Sequence, residues 1–203
     1  MIQLTHIGEE LLSRMLYESE EVRRAVCGSY ISITRNNEFV PELRLNGCRG
    51  LSFDGAHKVD VAALNNDTNH CLPIEAKLGF DRLGKNEFEK RFLGECGTSH
   101  NNTRVKGSMI SILERKLPKD CGNQNLSVSW QGRTYTVSPS WVLVARKVVV
   151  EKWKTLEAPQ LSDNCRVVEF ESLVEMYGTS GEFNSLVERL LSIDYFEEWQ
   201  CDT

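Results

Sequence analysis

The chain has 203 residues, 40% of them hydrophobic and 26% charged, with a formal net charge of −5. That length suits one domain with its own core, and the composition is that of a globular protein rather than a disordered or fibrous one. The acidic balance excludes a chain coated in basic residues, so a nucleic-acid partner would have to be met by a local patch. No apolar run approaches the ~18 residues of a membrane span, and Met1–His6 lacks the basic start and apolar stretch of a signal peptide. The expectation is a cytoplasmic protein with no membrane segment, built as a single domain with its core at 5–150 and an elaboration at 151–203. The seven cysteines are odd in number and form no CxxC pair, which predicts reduced thiols rather than a disulfide framework or a zinc ribbon.

In chain order, Leu4, Ile7, Leu11, Met15, Val22 and Ala25 recur at three- and four-residue steps. They predict one amphipathic helix over 5–26, with Thr5 as its N-cap and Gly28 as its stop. Tyr30–Thr34 alternates like a strand, and a second strand is predicted over 38–45. Residues 58–64 and 71–77 predict a hairpin around the turn-forming run Asn65–His70. Helices are predicted over 83–94 and 104–117, then a second hairpin, 126–130 with 133–137, around Gln131-Gly132. Trp141–Val150 is the most apolar segment and reads as a central strand. A strand at 167–170 and helices at 171–177 and 182–193 complete the chain.

The hairpin at 58–77 carries the chemistry. Pairing Leu64 with Cys71 sets Asp60 opposite Glu75 and Lys58 opposite Lys77 on one face. Val59, Val61 and Ala63 then meet Ala76, Ile74 and Leu72 on the other. Because side chains alternate along a strand, the ribbon is predicted to have one apolar and one charged face. Facing carboxylates about 5 Å apart destabilise a sheet, and a bound cation removes that repulsion. Two carboxylates with carbonyl and water oxygens suit Mg²⁺ or Mn²⁺ rather than zinc. Lys77, about 6–7 Å along the strand from Glu75, is placed to act on a water or on a developing negative charge. A second acid-x-Lys tripeptide, Glu114-Arg115-Lys116, has no facing carboxylate strand and reads as surface charge.

Lys58-Val59-Asp60-Val61-Ala62-Ala63-Leu64, a turn, then Pro73-Ile74-Glu75-Ala76-Lys77 resembles the motif of the PD-(D/E)xK nuclease superfamily. The motif covers 58–77, and the element order extends the likeness over 5–150. The departure is Val59 where the family motif begins with proline, which leaves the subfamily open. The resemblance implies an α/β fold with a restriction-endonuclease-like core: a central mixed β-sheet flanked by helices (helix, three strands, helix, strand), here with C-terminal helical additions. It implies Asp60 and Glu75 as ligands of Mg²⁺ or Mn²⁺, the Ala76 carbonyl as a further ligand, and Lys77 as the catalytic lysine. Many members add an acid from the first helix. Glu10 and Glu18 stand there but read as surface acids.

Between Arg82 and Lys119 nine basic residues face four acidic ones. Lys85, Lys90, Arg104 and Lys106 are the expected phosphate contacts, against the plainer alternative of a solvated, mixed-charge face. Cys96, His100 and His70-Cys71 form at best half a zinc site. The function expected is a Mg²⁺-dependent deoxyribonuclease with DNA as partner and a homodimer left open. The alternative is a catalytically silent module of the same fold that binds nucleic acid or a protein.

Overall fold

The computed structural model describes residues 4–28, 30–32, 34, 36–46, 58–78, 126–155 and 163–178. The expected first helix is two: α1, Leu4–Glu18, and α2, Glu20–Cys27. Ser19 leaves the helical region (φ −111, ψ 119) and its hydroxyl accepts from Val22 N–H, so a residue read as mid-helix is an N-cap. Glu20 and Glu21 complement the first turn of α2. Arg23 reaches back to the Leu16 and Tyr17 carbonyls at 3.0 and 2.6 Å, satisfying acceptors that the break exposes. Gly28 ends α2 as expected, with φ of 54. Replacing Ser19 with Ala should cost about 1 kcal/mol in chemical denaturation; an unchanged midpoint would show that α2 does not depend on this cap.

The strands are β1 (Asn37–Asn46), β2 (Lys58–Asn65), β3 (His70–Lys77), β4 (Ser127–Trp130), β5 (Arg133–Val137), β6 (Trp141–Ala145) and β7 (Cys165–Glu169). Tyr30–Ser32, expected to be a strand, is irregular. The segment read as one long strand to Val150 stops at Ala145 and continues as helix α3, Lys147–Thr155. Its three valines fit a helix because they do not alternate in burial: Val149 is buried and Val150 half-buried against the core, while Val148 is exposed. Glu171 holds the turn by accepting from Lys147 N–H at 2.7 Å. The last described helix, α4, is Phe170–Tyr177. The helices expected at 83–94, 104–117 and 182–193 lie outside the described residues.

The strand order is β2-β1-β4-β5-β3-β6-β7, with β2 also paired to β3. Strands β1, β2, β3, β5 and β4 therefore close a five-stranded mixed barrel, and β6 and β7 extend from β3 in parallel. This corrects the expected open α/β sheet flanked by helices. The cause is the β4–β5 hairpin, turned by Gln131 and Gly132 at positive φ. Its β4 pairs with the far end of β1, and its β5 with the start of β3. Trp130 Nε1 donates to Glu38 at 2.8 Å, and Asn46 donates to Ser129 at 2.8 Å, which ties the hairpin to β1. The sequence displays the hairpin but not its two partners.

Two cores follow. One draws on all five barrel strands and on β6, around Tyr135, Trp141 and Leu143. The other lies between the outer face of β2, β3 and β6 and helices α1, α2 and α4, around Leu12, Met15, Ile74 and Phe170. Ser13 on α1 donates to the Phe39 carbonyl at 3.0 Å and fixes that helix on β1. Strands β2 and β3 are thus buried on both sides: Ala62, Leu64, Cys71 and Pro73 as well as Val61, Ala63, Leu72 and Ile74. The expected charged face shrinks to one end of the ribbon. The described part of 151–203 shares these cores, with Phe170, Leu173 and Val174 buried in the second.

Candidate active site

The β2–β3 register is the one that the turn predicts: Leu64 with Cys71, Ala63 with Leu72, Ala62 with Pro73 and Val61 with Ile74. The ladder stops there, one position short of Asp60 and Glu75. On the other side, β1 pairs Pro41 with Val61 and Leu43 with Val59, and skips Asp60. Of the eight residues of β2, Asp60 alone has a partner in neither neighbouring strand.

The cause lies in β1. Glu42, across from Asp60, takes φ of 53, a left-handed conformation uncommon for a residue with a side chain. Val40 and Leu43 both reach the barrel core, as do Ala62 and Val59. Each pair is three residues apart, although strict alternation sends such positions to opposite faces. Both strands therefore turn over here, as at a β-bulge. Pro41 is the one sequence signal of this, since proline in a strand marks an edge or a bulge. Freed from the ladder, the Asp60 carboxylate takes up a ladder donor itself: Ala76 N–H donates to Oδ2 at 2.8 Å. Sequence reasoning had not assigned that amide a role.

Lys77 completes the cluster. Its ammonium donates to Glu75 Oε2 at 3.0 Å, to Asp60 Oδ2 at 3.3 Å and to the Ala76 carbonyl at 3.4 Å. Glu75 and Lys77 leave β3 beside Leu143 and Ala145 of β6. The Glu75 side chain is 2% exposed, against 17% for Lys77 and 19% for Asp60. Glu75 Oε1 is buried and has no hydrogen-bond partner among the described residues. Burial, reinforced by the Asp60 charge and opposed by Lys77, pushes the Glu75 carboxyl up to about 8. Burial alone would lower Lys77, but the Glu75 and Asp60 carboxylates outweigh it and hold the ammonium above the usual lysine range.

The structure thus brings together Asp60, Glu75, Ala76 and Lys77. Glu18 is engaged elsewhere: Arg14 donates to it at 3.0 Å, and the Tyr177 hydroxyl also bonds to it. Those two partners hold its carboxyl below the ordinary range, Tyr177 contributing most. Glu10 is exposed on α1. Lys85, Lys90, Arg104, Lys106, Cys96 and His100 lie outside the described residues. Cys27 and Cys71 are buried free thiols, pushed by that burial up to about 12, and so are poor nucleophiles and poor ligands.

A divalent cation would find Asp60, Glu75 and the Ala76 carbonyl, all hard oxygen donors. One or two carboxylates with water filling the remaining positions is a usual Mg²⁺ environment. The orphaned Glu75 Oε1 is an unused acceptor for such an ion. Among the described residues no set of three or more His, Cys, Asp or Glu side chains is arranged to hold a metal. No helix among the described residues is long and apolar enough to cross a membrane. At the opposite end of β3, Tyr30, Ser32, Thr68, His70, Thr136 and Ser138 line a separate open depression of about 480 Å³. No family model, curated protein or solved structure matches this chain.

Proposed function

We propose that this protein is a divalent-cation-dependent nuclease that hydrolyses phosphodiester bonds, with DNA as its substrate. The observation that carries the proposal is Glu75, a fully buried carboxylate with an orphaned oxygen, beside a second carboxylate and a lysine. An unpaired buried acceptor costs about 1–3 kcal/mol, and a well-packed apolar residue would avoid that cost. A site that takes up a cation and a phosphate gives the oxygen a use.

Asp60, Glu75 and the Ala76 carbonyl would hold Mg²⁺ or Mn²⁺. The bound ion supplies charge neutralisation at the scissile phosphate and acidifies a water molecule. Ala76 N–H fixes the Asp60 rotamer, so the carboxylate is oriented before any substrate arrives. Lys77 contributes a positive charge that strengthens its hold as negative charge develops on the attacked phosphate. The surplus of basic residues between Arg82 and Lys119 supports a polyanionic substrate, as does the motif's resemblance to that of the PD-(D/E)xK nucleases.

Purified protein incubated with plasmid and Mg²⁺ or Mn²⁺ should nick or linearise it, and EDTA should stop the reaction. A second reading has its own support. Lys77 bridges both carboxylates, so opposed acids by themselves do not require a metal, and a silent nucleic-acid- or protein-binding module could carry the same triad. Failure to cut linear, circular, branched and single-stranded substrates with either cation would establish that reading instead.

A further inference from the structure

Of the oxygens that Asp60, Glu75 and Ala76 offer a cation, Glu75 Oε1 is unused, while Asp60 Oδ2, Glu75 Oε2 and the Ala76 carbonyl all accept from Lys77 Nζ, at 3.3, 3.0 and 3.4 Å. The last three converge on one point, and an ammonium stands there. A divalent ion that bound these three together from the ammonium's side would sit about 2.1 Å from each, closer to them than the ammonium at 3.0–3.4 Å and directly against it. At such a separation, in a site as enclosed as Glu75's, two like charges repel strongly. The two cations therefore cannot share the position.

We propose that Lys77 is the resident counter-cation of this site, and that a divalent cation enters by displacing its ammonium. The proposal rests on the reading of Asp60, Glu75 and Ala76 as the metal-binding group. It accounts for part of how these acids tolerate burial before metal arrives: the ammonium offsets some of their charge and leaves Glu75 Oε1 without a partner among the described residues. It also gives the site a preference, since a monovalent ion offers no more charge than the lysine it would replace. Lysine suits the role because its ammonium is a compact charge on a flexible stem, and the Lys77 side chain keeps 17% exposure through which to withdraw. Withdrawal breaks all three contacts and leaves the ammonium beside the loaded site, where a phosphate would lie.

Calorimetric titration of Mn²⁺ into the wild type, Lys77→Met, Lys77→Gln and Lys77→Arg tests this, with Asp60→Asn as the control that locates the heat. Lys77→Met and Lys77→Gln should bind Mn²⁺ tenfold or more tightly than the wild type. Lys77→Arg, which keeps the charge, should bind no better than the wild type. Should the neutral variants melt without cooperativity in EDTA, recovery of a cooperative melt on adding Mn²⁺ supports the proposal, and no recovery overturns it. Equal or weaker Mn²⁺ binding by folded Lys77→Met and Lys77→Gln overturns the displacement while leaving the metal site standing. No Mn²⁺ binding by the wild type or by any variant would overturn both.

Discussion

In EDTA at pH 8 to 9, Glu75→Gln should be more stable than the wild type by on the order of 2–4 kcal/mol, and near pH 4 the two should converge. The folded Glu75 carboxyl is pushed up to about 8 from an ordinary value of 4.5 by burial and by Asp60. The folded state thus binds the proton more tightly than the unfolded state does. Its contribution to stability is fully present below about pH 4.5 and is lost as pH rises through 8. Within that window each pH unit removes up to about 1.4 kcal/mol. Lys77 does not shape this window, because its own shift acts above the ordinary lysine value of 10.5. Glutamine has nearly the same volume and no charge to lose, so its profile should be flatter. Denaturant midpoints for both proteins across pH 4–9 decide the matter; parallel profiles would mean that Glu75 is an ordinary paired carboxylate. Saturating Mn²⁺ should reverse the order, since a ligand that binds only the folded wild type raises its stability.

That test turns on a geometry which the sequence displayed in part. Alternation and turn chemistry in 58–77 were enough for the register, because a slip by one residue would move the apolar set onto the face that carries Asp60, Glu75 and Lys77. The register carries Asp60, Glu75 and Lys77 to one end of the ribbon. Burial of the other face was not legible: Ala62, Pro73 and Cys71 read as neutral in a hairpin considered alone, and become core only once β4 and β5 close the barrel over them. Closure depends on contacts such as Glu38 with Trp130, 92 residues apart, which no local periodicity records. The same limit hid the Glu42 bulge, where the chain reverses its facing without a glycine to announce it. Ser19 and Val148–Val150 failed for the opposite reason. Their local patterns were clear, but a capping bond in one case and the Glu171 carboxylate in the other selected a different conformer.

Lys77→Ala should lower the cleavage rate by on the order of 10²–10³ while leaving DNA affinity within a few-fold of the wild type. Affinity for a polyanion is set by the number of phosphate contacts and the counterions they release. Those contacts are expected from the basic segment, Lys85, Lys90, Arg104 and Lys106 among them, and Lys77 adds at most one to their number. A charge that acts as the phosphate gains negative charge lowers the barrier more than it stabilises the bound ground state. The loss should therefore appear in kcat and hardly at all in Kd. Lys77→Arg is the informative companion: it restores the charge but on a bulkier planar guanidinium in place of a compact ammonium on a flexible stem, so it should recover little activity. Filter binding of a labelled duplex in Ca²⁺ or EDTA, beside single-turnover cleavage in Mg²⁺, separates the two quantities. A parallel fall in binding and cleavage would place Lys77 among the affinity contacts. Unchanged cleavage in Lys77→Ala would remove it from the chemistry and, with it, the assignment of this cluster as the active site.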